Sequence, residues 1–221
     1  TAGGAVTDSG TLAITGATTL NSGSADLTLD QSASTFGTLA ITGANVAVTE
    51  NAAMDLGAST ISGTASFNST SNAITDSGTL AITGATTLNS GSADITLNEA
   101  ASTFGTLAIT GTNVAVTENA AMDLGASTIS GTASFNSSNN AITDSGTLAI
   151  TGVTTLNSGS ADLTLDEAAS TFGALAITGA NVAVMENAAM DLGASTISGT
   201  ASFNSRNNAM TDSGTRATRG V

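Results

Sequence analysis

Carboxylates and hydroxyls are the only side chains in this sequence that offer common catalytic or ligand chemistry. The 221 residues include 17 Asp and Glu but only three basic residues, all Arg, so the net charge is −14. Two carboxylates can cleave a glycosidic bond, and rows of carboxylates can bind Ca²⁺. His, Cys and Lys, which supply the usual general bases, soft-metal ligands and Schiff-base nitrogens, do not occur.

One set of acidic positions recurs at nearly even steps along the chain. Its members are Asp30, Asp55, Asp76, Asn98, Asp123, Asp144, Asp166, Asp191 and Asp212. Like charges stacked at such intervals repel one another, so either the side chains point into water or Ca²⁺ ions lie between them. The Gly-Gly-x-Gly-x-Asp motif of calcium-binding β-rolls is absent. We expect no cofactor, with Ca²⁺ along this row as the one alternative.

The composition argues against most functional classes. Sites that cleave or bind sugars rest the ring on aromatic side chains, but Tyr and Trp are absent and the six Phe fit the repeat pattern described below. No basic residue precedes Arg206, so a lyase mechanism also lacks its base. The acidic charge opposes binding to nucleic acid and to anionic membranes, and no apolar run reaches the ~20 residues of a membrane helix. We therefore predict that the protein is not an enzyme and has no catalytic, cofactor-binding or metal-binding residues.

Internal repetition dominates the chain. Thr-Asp-Ser-Gly recurs with its Asp at positions 8, 76, 144 and 212, which are evenly spaced. We interpret residues 1–221 as one domain with repeats 8–75, 76–143 and 144–211 and a C-terminal stub, 212–221. The first two repeats differ at only seven positions, which suggests that length or valency matters more than one unique pocket. The start at Thr1, without a signal-peptide pattern, suggests a mature fragment or an excised segment.

One set of Asn residues recurs three times in each repeat, again at nearly even steps. They are Asn21, Asn45, Asn68, Asn89, Asn113, Asn136, Asn157, Asn181 and Asn204. Together with the acidic set they predict a solenoid of about 10 coils of roughly 23 residues each. These Asn side chains could stack into an amide ladder from coil to coil, or simply favour turns and face water.

Short runs of alternating residues predict strands rather than helices. In Thr11–Thr15, for example, Leu12 and Ile14 share one face. Gly, Asn, Ser and Asp bound such runs, so the sequence predicts an all-β fold, a parallel β-helix (β-solenoid). The side chains predicted to point inward are Leu12, Ile14, Leu27, Leu29, Phe36, Leu39, Ile41, Val46, Val48, Met54, Leu56, Ile61, Phe67 and Ile74, with their equivalents in later repeats.

The repeat units resemble those of a known class of surface protein. Ile74–Gly84 (ITDSGTLAITG), Phe36–Gly43 (FGTLAITG) and Met54–Gly63 (MDLGASTISG) are similar to the repeats of large bacterial filamentous-haemagglutinin-like adhesins. The resemblance spans essentially the whole chain and implies a right-handed parallel β-helix, an extracellular or cell-surface location and a role in attachment or biofilm. No secretion domain or ligand-binding tip of that family is recognisable.

Two functions remain from different classes. The leading hypothesis is a structural shaft or fibre segment of a secreted or cell-surface adhesin or extracellular filament. The alternative is an ice-binding β-solenoid, in which outward pairs such as Thr11 with Thr15 and Thr38 with Thr42 align from coil to coil.

The two ends differ in sequence. Arg216 and Arg219 stand where the third repeat has inward and strand positions, so they either cap the last coil or belong to a frayed tail. The N-terminal end has no such charge. We expect end-to-end coil stacking with another copy or continuation in a longer chain, no nucleic-acid partner and no membrane insertion; a host or surface ligand is not identified.

Overall fold

The structure, a computed structural model, describes residues 3–214. All of its regular secondary structure is β-strand, and every strand pairing is parallel. The first repeat and the residues before it contain β1 (Val6–Thr7), β2 (Thr18–Asn21), β3 (Leu27–Leu29), β4 (Thr38–Gly43), β5 (Val46–Thr49), β6 (Met54–Leu56), β7 (Ser59–Ile61), β8 (Ala65–Asn68) and β9 (Ile74–Asp76). The second contains β10 (Leu80–Ile82), β11 (Thr86–Asn89), β12 (Ile95–Leu97), β13 (Thr106–Gly111), β14 (Val114–Thr117), β15 (Met122–Leu124), β16 (Ser127–Ile129), β17 (Ala133–Asn136) and β18 (Ile142–Asp144). The third contains β19 (Leu148–Ile150), β20 (Thr154–Asn157), β21 (Leu163–Leu165), β22 (Ala174–Gly179), β23 (Val182–Met185), β24 (Met190–Leu192), β25 (Thr196–Ile197), β26 (Ala201–Asn204) and β27 (Met210–Asp212).

The strands wind into two facing sheets, of 13 and 14 strands. The first sheet runs β1-β3-β5-β8-β11-β13-β15-β18-β21-β23-β26, with β16 and β19 beside it; the second runs β10-β7-β4-β6-β9-β12-β14-β17-β20-β22-β24-β27, with β2 and β25 beside it. The ten steps from β1 to β26 confirm the predicted parallel β-solenoid of about ten turns. The right-handed sense stays a prediction.

The coil is shorter than the roughly 23 residues expected from the sequence. Paired residues on neighbouring coils are 17 to 22 positions apart: Leu39 lies beside Leu56, Val6 beside Leu27 and Ala13 beside Thr35. Seven steps lead from β2 to β20, and these two strands begin at equivalent residues, Thr18 and Thr154, exactly two repeats apart. One repeat therefore makes three and a half coils. The Asn spacing gave too long a coil because each repeat has three Asn residues of this set but three and a half coils, so the Asn residues cannot mark every coil.

Because one repeat makes three and a half coils, which we call half-integral winding, equivalent strands of consecutive repeats lie on opposite sides of the rod. The Thr-Thr-Leu-Asn strand is β2 in the second sheet, β11 in the first and β20 again in the second. The Leu/Ile-Thr-Leu strands β3, β12 and β21 alternate in the opposite order. Each sheet therefore receives every type of strand once in two repeats.

The interior is a continuous apolar column, as the alternation predicted. From Leu27 onward the inward set of the first repeat is buried, and Leu56, Ile61 and Ile74 are fully buried. Leu12 and Ile14 are only partly buried because they belong to the first coil, whereas their equivalents Leu80 and Ile82 are buried. Burial of each such side chain contributes ~1.5–3 kcal/mol.

Long strands alternate with broken ones. The six residues of β4 pair at one end with β6 and at the other with β7, and Gly57 and Ala58 separate these two short strands. The gap would leave the Ile41 amide unpaired, but the buried hydroxyl of Ser59 accepts its hydrogen bond at 3.0 Å and donates to the Gly57 carbonyl. Ser127 does the same for Ile109 in the next repeat. Inward serines thus complete the backbone pairing where the ladder is interrupted.

Two types of tight turn stack on one another at the corners of the coil. Gly23, Gly91 and Gly159 adopt left-handed conformations, with φ of 66°, 58° and 59°. In the other type two consecutive non-glycine residues are left-handed, as at Thr70 and Ser71 with φ of 50° and 72°. The turn at Gly91 lies against Ser71, so a Cβ on Gly91 would approach the Ser71 Oγ to 2.6 Å and its Cα to 3.2 Å.

Replacing Gly91 with Ala should destabilise the coil by ~1–2 kcal/mol, because a left-handed non-glycine residue is costly and the added methyl meets Ser71. The measurement is the free energy of unfolding in urea. Gly10→Ala is the matched control, since a Cβ there meets nothing within 4 Å; its effect should stay within ~0.5 kcal/mol. Equal effects of the two substitutions would contradict this account of the turn.

Candidate functional site

A chain of polar contacts joins three successive coils at one corner, and we call it the coil bridge. Asn45 donates from its backbone amide and from its Nδ2 to Asp26 Oδ1 of the preceding coil, at 3.1 and 2.9 Å. Asn45 Oδ1 accepts from the backbone amide and the hydroxyl of Thr64 on the following coil, at 3.0 and 3.1 Å. A single exposed Asn therefore links its own coil to the coils on both sides.

The coil bridge recurs in each repeat with nearly the same geometry. Asn113 joins Asp94 to Thr132, and its Nδ2 and Oδ1 contacts are 3.0 and 3.1 Å long. The third copy consists of Asp162, Asn181 and Thr200. Half-integral winding places consecutive bridges on opposite sides of the rod.

The other six Asn residues of the predicted ladder have a different role. Each side-chain Oδ1 accepts the backbone amide two residues later, for example Gly23 N–H to Asn21 and Thr70 N–H to Asn68, at 2.9 and 3.1 Å. The remaining four are Asn89, Asn136, Asn157 and Asn204. These are Asx turns, which fix the backbone as it leaves a strand.

These Asn side chains therefore do not form the continuous amide ladder that was one of the two alternatives left open by the sequence. Strand register brings Asn68 beside Asn89 and Asn136 beside Asn157, but Asn21 lies beside Thr42. Within residues 3–214 no side-chain hydrogen bond joins two of the nine Asn amides. The physical reason is the mismatch between three Asn residues per repeat and three and a half coils.

A second type of link uses the Asp of the Thr-Asp-Ser-Gly phrase. The two carboxylate oxygens of Asp76 accept the amides of Asn98 and Glu99 on the next coil, at 2.8 and 3.2 Å. Asp144 makes the equivalent pair of bonds. Burial raises the pKa of Asp76 and of Asp144, and the hydrogen bonds from the next coil's amides oppose that rise.

The acidic positions do not form one row. Asp55 lies beside Thr75, and Asp76 lies beside Leu56 instead of beside Asp55. Hydroxyls contact the Asp55 carboxylate: Thr38 and Ser77 donate to its Oδ2 at 2.6 and 2.9 Å. Among the described residues, no group of three or more Asp and Glu is placed to hold a metal ion. The geometry therefore does not bring together the row on which the Ca²⁺ alternative depended.

The outward threonines also fail to align as an array. Thr38 lies beside Asp55, whereas Thr42, the other member of its pair, lies beside Thr60. Another outward column of the first sheet reads Thr7, Thr28, Ala47, Ser66, Thr87 and Ala108. Alanine and serine interrupt this column, and Asp55 interrupts the column that contains Thr38. The geometry therefore gives no support to the ice-binding alternative.

Three glutamates that the sequence analysis did not single out lie inside the coil. Glu50, Glu118 and Glu186 are all 0% exposed. Burial raises the pKa of Glu50 to about 7, of Glu118 to about 8 and of Glu186 to about 7, while one backbone amide opposes each rise. The available signal was their recurrence once per repeat, directly after an inward-outward strand pattern.

The end-cap residues Arg216 and Arg219 lie outside the described part of the chain. Arg206 is described, and its Nη1 donates to the Ala168 carbonyl at 3.2 Å. Across residues 3–214 there is no helix long and apolar enough to cross a membrane.

Comparisons with known proteins identify the repeat but not a function. A family model described as "Repeats of unknown function (DUF5649)" matches residues 1–42, 43–110, 111–178 and 179–220. Its two complete units, 43–110 and 111–178, are as long as the repeats read from the sequence. No curated protein and no solved structure shows significant similarity.

Removing the Asn113 side chain should lower the free energy of unfolding by ~1–2 kcal/mol, because Asp94 and Thr132 lose their shared partner at a solvent-exposed corner. Urea unfolding of Asn113→Ala measures this. Asn119→Ala is the matched control. Asn119 is exposed, and its hydrogen bond to the Ser102 carbonyl comes from the backbone amide, which the substitution keeps. A loss no larger than the control's would show that the coil bridge does not stabilise the stack.

Proposed function

Since the chain belongs to the family of repeats of unknown function (DUF5649), we propose from its geometry that it is a shaft segment. It would hold a functional tip away from a surface, as part of a secreted or cell-surface adhesin or an extracellular filament. The observation that carries the proposal is the continuous stacking of coils over one core, with the same architecture in each repeat of residues 3–214.

Stability in such a rod is local. Apart from the strands that end each path, every strand pairs with strands one coil before and one coil after it, so coils can be added without disturbing distant ones. The core column is equally repetitive: Phe67 and Phe135 fill equivalent inward positions, and both are fully buried. A rod built in this way is suited to act as a spacer of fixed length.

The polar side chains described above support the same conclusion. The coil bridges and the Asp76-type links join one coil to the next, so their hydrogen bonds are made within the stack. Other carboxylates, such as Asp30 and Asp166, lie on the surface. A net charge of −14 then repels other copies and keeps rods apart at high local concentration.

The length of the rod should increase by a fixed amount with each repeat. Inserting one further copy of residues 76–143 adds three and a half coils, or ~17 Å at ~4.8 Å per coil. Electron microscopy and small-angle X-ray scattering of proteins with three, four and five repeats would measure length and cross-section. We expect equal increments at constant width.

The matched control inserts a Gly/Ser linker with the same number of residues as one repeat at the same position. The linker should broaden the distribution of lengths instead of shifting it by a fixed step. If the added repeats increased the width, or produced no regular increment, the shaft proposal would fail.

The proposed location has a separate test. An antibody raised against residues 76–143 should label intact cells that make the natural protein, or should detect it in their medium. Labelling that appears only after the cells are lysed would contradict an extracellular role while leaving the rod geometry untouched.

A further inference from the structure

Each repeat encloses one glutamate whose carboxyl group has too few partners for a charge. The Oε2 atom of Glu50 accepts the Phe36 amide at 2.8 Å, and that of Glu118 accepts the Phe104 amide at 2.9 Å. The Oε1 atoms of Glu50 and Glu118, and both carboxyl oxygens of Glu186, are buried without a hydrogen-bond partner among residues 3–214. An ionised carboxylate in such a place carries a large desolvation cost with at most one amide hydrogen bond to offset it.

Coil packing fixes the position of these glutamates. The Glu50 backbone amide donates to the Asn68 carbonyl, and its carbonyl accepts the Thr70 hydroxyl, at 2.9 and 2.7 Å. The next residue, Asn51, donates its amide to the Ser34 carbonyl at 2.8 Å. Backbone bonds therefore hold the glutamate in the corner, and its side chain closes the coil against Phe36.

Charged groups on neighbouring coils do not neutralise these carboxyls. The turn one coil before each glutamate carries acidic residues. It holds Asp30 in the case of Glu50, Glu99 in the case of Glu118, and both Asp166 and Glu167 in the case of Glu186. The following turn carries Arg206, one position beyond the residue opposite Glu186, and its described side-chain hydrogen bond goes to the Ala168 carbonyl. Burial is the largest cause of the raised pKa at all three positions.

We infer that the three glutamates enter the folded coil as neutral carboxylic acids and that ionisation opens the corners they close, so the rod loosens reversibly as the surroundings become alkaline. The device operates once per repeat. Because consecutive repeats are half a turn out of phase, the corners that open lie on alternate sides of the rod.

The sign of the effect follows from proton binding. Relative to an ordinary Glu pKa of 4.5, the folded values are raised to about 7, 8 and 7. Between pH 4.5 and the folded pKa values, the folded protein binds more protons than the unfolded chain, so the free energy of unfolding decreases as the pH rises. The contribution is complete below pH 4.5 and is lost as the pH passes through the folded pKa values.

Carbon-13 NMR of the intact protein tests the protonation state directly. The chain has five Glu residues, so selective labelling of the side-chain carboxyl carbon gives five signals, of which Glu99 and Glu167 are internal references. We expect the signals of Glu50, Glu118 and Glu186 to titrate well above the ordinary Glu pKa of 4.5. Five signals that titrate together near the ordinary Glu pKa would overturn the inference without any substitution being made.

A set of variants tests whether ionisation opens the corner. The combined variant Glu50→Gln, Glu118→Gln and Glu186→Gln keeps an acceptor for each Phe amide but cannot ionise. The control is Glu99→Gln with Glu167→Gln, a change already present at the equivalent Gln31 of the first repeat. This control also lowers the negative charge, so it separates general charge repulsion from the buried groups.

The pH dependence of urea unfolding should reveal proton uptake. At pH 6 the parent should take up roughly 2.5 more protons on folding than the combined variant, whereas the control should differ little from the parent. Hydrogen exchange at the Phe36, Phe104 and Phe172 amides should accelerate more steeply above pH 7 in the parent than in the combined variant. Equal pH slopes in parent and combined variant would contradict the inference; if that variant does not fold, the NMR titration of the parent decides.

Discussion

Hydrogen bonding between adjacent coils is the constraint on which the rest of the structure depends. In a parallel stack every strand must find its backbone partners on the coil before and the coil after it, because a buried amide or carbonyl without a partner costs ~1–3 kcal/mol. Wherever two coils differ in shape, a side chain must replace the missing backbone group. The hydroxyl of Ser59, which receives the Ile41 amide beside the break at Gly57, is the clearest case. Asp76 and Asn45 meet the same need at the turns.

The glutamates are the ionisable exceptions to this general satisfaction of polar groups; the Thr18, Thr86 and Thr154 hydroxyls are also buried without a partner among the described residues, but they carry no charge. The serine and asparagine side chains of the coil carry no charge themselves and find hydrogen-bond partners in place. Glu50 brings a group that is tolerated only if it remains protonated, and its Oε1 still has no partner. Stability was therefore not maximised at these corners, and a buried Gln would form the same bond to Phe36 without depending on pH. This contrast is what makes the three positions candidates for a functional role.

Most of the fold could be predicted from the sequence, because alternation and period act locally. Leu27, Leu29 and Phe67 point inward as their patterns indicate, and the number of turns is close to that expected. Coil length could not be predicted in the same way, since it depends on how residues such as Leu39 and Leu56 align across coils with turns of unequal length. Asn45 was recognised by its spacing, but only its neighbours in space reveal a bridge instead of a ladder. Glu50 was missed because a charged residue next to Asn at the end of a strand is typical of an exposed turn.

Because each repeat makes three and a half coils, the side on which the chain leaves the rod depends on whether the number of repeats is even or odd. After an even number of repeats the polypeptide leaves the rod on the side where it entered, and after an odd number it leaves on the opposite side. Near-identical repeats are prone to unequal recombination, which gains or loses whole units. Gain or loss of one unit changes the length of the rod and also reverses the side on which the following segment is presented, whereas gain or loss of two units changes the length alone.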